Sequence, residues 1–156
     1  MSLKVKKISD TLSVAGQISL CDIAALKARG FKTLINNRPD GEENNQPRSA
    51  SLAAEAKHQG LSYISLPVIS GSVKDSDVRK FEALLDKECA PVLAFCRTGT
   101  RCATLWAISE AENDTTNSIL SRAEDAGYDL SALAARINEY RLLKSRYRKK
   151  RRSKHD

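Results

Sequence analysis

The sequence predicts an α/β sandwich whose central sheet is mostly parallel and is flanked by helices. Short β-rich runs alternate with helical segments of about 10–15 residues, a pattern that implies crossover connections between parallel strands. The 156 residues are 41% hydrophobic, which suffices for one buried core without disulfides or metals. The chain has no internal repeat and no linker that would separate two domains, so we expect one α/β unit with extra helices at its C-terminal end.

Four apolar, β-rich runs predict the strands of this sheet, and each is bounded by turn residues. The run PVLAF is short and continuously apolar, which is typical of a strand buried on both faces. The run LSYISLPV alternates instead, as a half-buried strand does. The predicted strands span residues 12–15, 32–36, 61–68 and 91–95.

The predicted helices begin and end at recognisable capping residues. Ser19 with Asp22 three residues later is a capping signal, and Gly30 occupies the usual position after a helix C-terminus. Gly60 and Gly127 end two later helices in the same way. The predicted helices span residues 19–29, 48–59, 75–87, 100–112 and 114–126, and a last helix starts at Asp129 or Ser131.

The net charge of +7 is concentrated at the C-terminus. Residues 141–156 hold nine of the 26 Lys and Arg residues and one acid, so residues 1–140 are close to neutral. We therefore divide the chain into an α/β domain, 1–140, and a basic tail, 141–156. A near-neutral domain excludes a uniformly basic nucleic-acid-binding core. Two interpretations of the tail stay open: non-specific binding of polyanions such as RNA or anionic lipid, or a solvated helix end.

The chain carries no sign of secretion or of a membrane span. No stretch approaches the roughly 18 consecutive apolar residues of a transmembrane helix, and MSLKVKKISD lacks the apolar segment of a secretory signal. We therefore expect a cytoplasmic protein with reduced thiols. The cysteines form no C-x-x-C pair and the chain has only two histidines, so we expect neither a metal nor a cofactor. The four cysteines are Cys21, Cys89, Cys96 and Cys102.

The segment PVLAF-CRTGTR-CATLWAI carries the strongest functional signal. A buried strand ends at Phe95, and a six-residue loop from Cys96 to Arg101 opens directly into a helix. Ligands bind at this carboxyl end of strands in open α/β sheets. Successive backbone N–H groups of such a loop, together with the helix N-terminus, form a cradle for anions. Gly99 permits the positive φ or the close backbone approach that a cradle requires.

The side chains of the loop suit a reaction on an anionic group. The helix N-terminus, Arg97 and Arg101 should lower the pKa of the Cys96 thiol and make it a nucleophilic thiolate at neutral pH. The planar guanidinium of Arg101 matches two phosphate oxygens. We therefore expect covalent transfer of an anionic group through Cys96. The expected phosphate-binding residues are Arg97, Thr98, Gly99, Thr100 and Arg101.

These residues resemble the cysteine-dependent protein phosphatase superfamily. The resemblance is closer to a bacterial phosphatase-like family whose domain also occurs fused to metallo-β-lactamase-like hydrolases. It covers roughly residues 8–112 and rests on ISLCDIAALKARGFKTLINNRPDGEE, on YISLPV and on FCRTGTR followed by LW. It implies a tyrosine-phosphatase-like α/β fold and a phosphorylated protein or small molecule as substrate. It also implies Cys96 as nucleophile and Arg101 as the phosphate-binding arginine.

Three features of the loop keep other functions open. Four residues separate Cys96 from Arg101, where tyrosine phosphatases have five, and C-R-x-G-x-R is the rhodanese pattern. Phe95 stands where a histidine commonly precedes the phosphatase cysteine. Cys102 replaces a Ser or Thr hydroxyl, and we expect it to pack on the sheet or to form a disulfide with Cys96. The alternatives are a sulfurtransferase that carries a persulfide on Cys96, or a catalytically weak phosphate- or phosphoprotein-binding module.

A phosphatase also needs an acid that protonates the leaving oxygen. The loop after strand 61–68 holds no acid before Asp75, which is typical of a helix start. Asp40 of the RPDGEE segment follows a strand expected near the cradle, and we predict it as the catalytic acid; its alternative role is a turn residue. In the same segment, Arg38 either adds positive potential to the cleft or pairs with Glu42 or Glu43.

Overall fold

A five-stranded sheet lies at the centre of the computed structural model, which describes residues 3–155. The strands are β1 (Val5–Lys7), β2 (Leu12–Ala15), β3 (Thr33–Asn36), β4 (Ser62–Ser65) and β5 (Val92–Phe95). Their order is β1-β2-β5-β3-β4, with β1 antiparallel to β2 and the other neighbours parallel. This mostly parallel sheet between helices confirms the predicted fold class.

Helices cover both faces of the sheet. The α-helices are α1 (Leu20–Ala28), α2 (Ser49–His58), α3 (Asp75–Lys87), α4 (Thr100–Ser109), α5 (Thr116–Asp125) and α6 (Ala134–His155), with 3-10 turns at Glu110–Glu112 and Ser131–Leu133. Because successive side chains of a strand point to opposite faces, Leu93 and Phe95 pack with α1 and α2, whereas Val92 and Ala94 pack with α3 to α6. Within residues 3–155, no helix is both long and apolar enough to cross a bilayer.

The carboxyl end of β5 lies at the middle of one sheet edge. Phe95 is opposite Ala15 of β2 on one side and Asn36 of β3 on the other. Since these parallel strands end together, the loops that follow them meet at this edge. The segment after β4 joins them, because the Val68 N–H donates to the Asn37 carbonyl at 2.9 Å.

Several boundaries differ from the sequence prediction. β1 is absent from that prediction, because its three residues include two lysines and show no apolar alternation. The strand predicted over 61–68 ends at Ser65, because the chain then leaves the ladder to bond with the turn after β3. The helix predicted over 100–112 ends at Ser109 and continues as a 3-10 turn.

The last helix crosses the predicted start of the basic tail without a break. It begins at Ala134 and is continuous through residues 140 and 141. Arg141 donates to the Asp114 carbonyl at 2.9 Å, and the Lys144 Nζ lies 2.6 Å from Glu82 Oε2. The first part of the predicted tail therefore packs on the domain through specific contacts.

Candidate active site

The loop after β5 folds back over the sulfur of Cys96. The Cys96 N–H donates to the Ala15 carbonyl at 3.3 Å, which fixes the cysteine at the end of the strand. Gly99, with φ of 92°, turns the chain into α4, and this left-handed backbone is open to glycine at little cost. The turn directs the Gly99 N–H to Cys96 Sγ at 3.1 Å. Only 1% of Cys96 is exposed, so the sulfur lies at the base of the loop.

Hydrogen-bond donors around the sulfur favour the thiolate form of Cys96. They lower the pKa of Cys96 to about 5; the thiol of Cys102 is the largest contributor, followed by the N–H groups of Cys102, Thr98 and Gly99, and burial opposes them. Burial and the adjacent sulfur raise the pKa of Cys102 instead. Both cysteines are free and buried, so at neutral pH Cys96 is the anion and Cys102 the donor. Cys102 packs among the core residues under the sheet, as expected. Its thiol also acts as a hydrogen-bond donor to the Cys96 sulfur.

Arg101 lies beside this sulfur and is held by the loop after β3. Its Nη1 and Nη2 donate to the two carboxylate oxygens of Glu42 at 2.8 and 2.9 Å. The Nη1 also donates to the Val68 carbonyl at 2.9 Å. Arg101 is only 7% exposed, so these contacts fix the plane of the guanidinium. The Glu42 carboxylate and the Cys96 charge both raise the pKa of Arg101, which keeps it cationic.

Glu42 also binds a second buried arginine. The Nε of Arg38 donates to Glu42 Oε1 at 2.8 Å, and its Nη1 donates to the side chain of Gln17 at 2.9 Å. Arg38 is 2% exposed. The hydrogen bonds from Arg101 and then from Arg38 lower the pKa of Glu42 to about 2 despite partial burial. Glu42 is therefore a carboxylate at physiological pH, and a network of ion pairs and hydrogen bonds joins the loops after β2, β3, β4 and β5.

The remaining side chains of the loop face solvent at the mouth of the site. Arg97 is 65% exposed and pairs with Glu43 at 3.0 Å. The Thr98 hydroxyl donates to the Thr100 hydroxyl at 3.1 Å, and both residues are exposed. Of the five predicted phosphate-binding residues, Gly99 directs its N–H to the Cys96 sulfur and Arg101 is buried and fixed. The side chains of the other three are exposed: Arg97, Thr98 and Thr100.

Asp40 lies at the surface of the loop after β3. Its Oδ1 accepts a hydrogen bond from the Ser49 N–H at 2.8 Å and so satisfies a free donor in the first turn of α2. This contact gives Asp40 a structural role in its turn. Its role as the proton donor stays a prediction.

Sequence reasoning missed three residues of the site. It treated Glu42 only as a partner of Arg38. It expected Cys102 to pack on the sheet or to form a disulfide with Cys96, whereas the structure has both thiols free and the Cys102 thiol as a donor to Cys96. Nothing in the sequence points to Tyr128, whose hydroxyl donates to the Thr98 carbonyl at 3.4 Å. In the part of the chain that the structure describes, no group of three or more His, Cys, Asp or Glu side chains is arranged to hold a metal ion.

The five-stranded sheet and its flanking helices place the fold in the class of tyrosine and dual-specificity phosphatase folds. Residues 4–113 match the family described as "Beta-lactamase hydrolase-like protein, phosphatase-like domain". The chain belongs to this family, as its sequence resemblance implies.

Relatives in this family are longer proteins. The chain is 38% identical over 109 residues to a beta-lactamase hydrolase-like protein of Agrobacterium fabrum, a match that covers 70% of this chain and 25% of that protein. A protein of the same description from Xylella fastidiosa (strain Temecula1) is 36% identical over 108 residues, covering 69% of this chain and 25% of the relative. The chain therefore spans about a quarter of the length of the curated relatives it matches.

Solved structures with this fold are described as phosphatases. A protein from Neisseria meningitidis Z2491, whose assignment as a phosphatase is itself provisional, is 33% identical with a TM-score of 0.79, covering 87% of this chain and 97% of that one. The core catalytic domain of the PP-IP phosphatase SIW14 from S. cerevisiae is 14% identical with a TM-score of 0.68, covering 95% of each chain. The second likeness concerns the fold alone.

Proposed function

We propose that this domain is a phosphoric monoester hydrolase that works through a phosphocysteine on Cys96. The observation that carries the proposal is the position of the Cys96 thiolate, which receives backbone N–H groups from its own loop and lies beside the buried Arg101. A thiolate is the reactive form of cysteine. The surrounding donors suit the equatorial oxygens of a phosphoryl group in transfer.

In the first step, the Cys96 sulfur attacks phosphorus, and the bond between phosphorus and the ester oxygen breaks. The electron pair of that bond goes to the leaving oxygen, which takes a proton from an acid. Arg101 and the amides of the loop bind the phosphoryl oxygens. Because Glu42 already holds the Arg101 guanidinium, the guanidinium needs to move little when the transition state forms.

In the second step, water attacks the phosphocysteine, and the bond between sulfur and phosphorus breaks. The electron pair returns to Cys96, where the Cys102 thiol and the loop N–H groups stabilise the thiolate. The proton of the attacking water returns to the group that acted as acid, and inorganic phosphate leaves. Cys102 thus supplies a donor in the position of the expected hydroxyl.

Asp40 is our proposed acid and base. Its segment, RPDGEE, also supplies two residues that contact the Cys96–Arg101 loop. Glu42 pairs with Arg101, and Glu43 pairs with Arg97. The carboxylate of Asp40 is exposed, and Asp40 belongs to the loop after β3, which leaves the sheet at the same edge as the loop that carries Cys96. The Ser49 N–H occupies Oδ1, and the second oxygen is the one we assign to proton transfer.

A second candidate function follows from the length of the loop. The pattern C-R-x-G-x-R suits a sulfurtransferase, in which Cys96 attacks the outer sulfur of thiosulfate and sulfite leaves with the electron pair of the sulfur–sulfur bond. Cyanide then takes the outer sulfur from the persulfide as thiocyanate and restores the thiolate. A third possibility uses the same cradle to bind phosphate or phosphoproteins without turnover.

One comparison separates these functions. The purified chain is assayed with p-nitrophenyl phosphate and, separately, with thiosulfate plus cyanide, beside the Cys96→Ser and Cys89→Ser variants. Phosphate release that Cys96→Ser abolishes and Cys89→Ser retains supports the phosphatase. Thiocyanate formation with the same dependence selects the sulfurtransferase. Phosphate binding without either product selects the binding module.

A further inference from the structure

Tyr128 lies in the turn after α5, outside the residues 4–113 that match the family. Its N–H donates to the Ala123 carbonyl at 2.9 Å, so the end of the helix fixes its backbone. Its half-buried ring packs against the main core cluster. Its hydroxyl lies against Gly99, where a Cβ would overlap it. The Tyr128 hydroxyl therefore contacts the Cys96–Arg101 loop at Thr98 and Gly99.

The hydroxyl and the Cys96 sulfur bind the two ends of one peptide unit. The Tyr128 hydroxyl donates to the Thr98 carbonyl at 3.4 Å. The N–H of the same unit, on Gly99, donates to Cys96 Sγ at 3.1 Å. In a planar trans peptide the C=O and the N–H point in opposite directions. A contact that holds the carbonyl outward consequently holds the N–H inward, toward the sulfur.

The backbone preference of Gly99 alone does not fix this orientation. Gly99 has φ of 92°, and glycine adopts positive and negative φ with similar ease. Rotation of the peptide between Thr98 and Gly99 would turn a carbonyl oxygen toward the Cys96 thiolate, where it would repel the anion. The Tyr128 contact on the Thr98 carbonyl therefore favours the orientation in which the Gly99 N–H faces the sulfur.

We propose that Tyr128 is a positioning residue, which locks the Thr98–Gly99 peptide so that its N–H faces the Cys96 sulfur and the phosphoryl group bound there. The phosphoryl part of this inference rests on the proposed function, whereas the part concerning the sulfur does not. The titratable groups beside the sulfur are Cys102 and Arg101, both from α4. Burial and the charge of the cysteine pair raise the pKa of Tyr128, which keeps its hydroxyl protonated as a donor.

Tyr128→Phe tests this role, because it removes the hydroxyl and keeps the ring. The rate of Cys96 alkylation by iodoacetate is measured against pH in a Cys21→Ser/Cys89→Ser background. We expect the midpoint to move upward by about half a pH unit or more, since one donor to the thiolate is weakened. We also expect the Gly99 amide to exchange its hydrogen faster, and kcat on p-nitrophenyl phosphate to fall more than KM rises.

Tyr140→Phe is the matched control. It removes a hydroxyl that bonds Glu82 at 2.8 Å on α3, and it should leave both the midpoint and the Gly99 exchange unchanged. A midpoint and exchange rate in Tyr128→Phe equal to those of the control would overturn the proposal. Alkylation requires no turnover, so a protein inactive on phosphates still permits this test. An active protein with an unshifted midpoint would defeat the Tyr128 inference alone.

Discussion

Glu42 and Arg101 form a two-point ion pair that joins the loop after β3 to the loop after β5. The Nη1 of Arg101 lies 2.8 Å from Oε2, and its Nη2 lies 2.9 Å from Oε1. Arg38 binds the same carboxylate at 2.8 Å. One carboxylate therefore binds two guanidinium groups that are almost fully buried, and it fixes the orientation of Arg101.

Glu42→Gln should destabilise the protein, because it leaves two buried cations without their shared counter-charge. Removing one partner of a buried ion pair typically costs 3–5 kcal/mol, and the partial exposure of Glu42 favours the low end, about 3 kcal/mol. Urea unfolding followed by circular dichroism measures the loss. The activity should fall as well, since Arg101 is no longer fixed.

Glu43→Gln is the control for this change. Glu43 is exposed; it pairs with Arg97 at the surface and only approaches the buried Arg38, at 3.5 Å. Exposed ion pairs contribute about 1 kcal/mol or less. If the two variants lose the same unfolding free energy, the shared carboxylate has no special structural role.

The reactivity of Cys96 should rise as the pH increases through about 5. The pKa of Cys96 is lowered to about 5, so the thiolate forms above that pH and its alkylation rate reaches a plateau by roughly pH 6–7. Inorganic phosphate should slow the reaction by occupying the loop. Peptide mapping after iodoacetate treatment measures each cysteine separately, and equal rates at Cys21, Cys89 and Cys96 would argue against activation.

Cys102→Ala should move the Cys96 profile to higher pH. The thiol of Cys102 is the largest contributor to the lowered pKa, and alanine cannot donate. Cys102→Ser keeps a donor and should stay closer to the wild-type midpoint. If serine and alanine give the same midpoint as cysteine, the loop amides alone hold the thiolate.

Asp40→Asn should slow alkyl phosphates more than aryl phosphates, because a poor leaving group needs the proton more. The asparagine retains an Oδ1 acceptor for the Ser49 N–H, so stability should change by less than about 1 kcal/mol. The measured quantity is the ratio of the initial rate on p-nitrophenyl phosphate to the initial rate on a phosphoserine peptide. A ratio equal to that of wild type would assign Asp40 to the turn alone.

Deletion of residues 146–156 should greatly weaken any polyanion binding and leave chemistry on a small phosphate intact. The deleted segment holds most of the basic residues of the tail, whereas the contacts of Arg141 and Lys144 with the domain remain. Heparin affinity measured at several salt concentrations should lose most of its salt dependence, because fewer counterions are released. A folded but inactive truncation would place the tail in the active site.

The parts of the site that sequence could predict are those that lie close together along the chain. Cys96, Gly99 and Arg101 belong to one loop, and their chemistry follows from a strand that opens into a helix. Glu42 is 59 positions from Arg101. Its pairing depends on β3 lying next to β5, and the strand order was not predicted.

In the C-terminal half of the chain, the sequence predicts the helices but not the contacts that they make with the site. Capping residues predicted α5 well, since Thr115 caps it through its side chain. The contact of Tyr128 with the loop arises only when α5 packs against α4. No local pattern marks a tyrosine that acts through such packing. No local pattern marks Arg141 either, although its guanidinium donates to the Asp114 carbonyl and so attaches the predicted tail to the domain.

The segment that matches the family is shorter than the unit that folds. The cluster that encloses α4 includes Ile119 and Ala123 of α5 and Ile137 of α6, all fully buried. A fragment that stops at residue 113 would contain Cys96, Arg101 and Glu42, yet it would open the apolar side of α4 to water. The ends of the segment that matches the family therefore do not coincide with the ends of the unit that packs together. A design that moved only the sheet and the Cys96–Arg101 loop into another protein would therefore lack α5 and α6, which pack on the apolar side of α4.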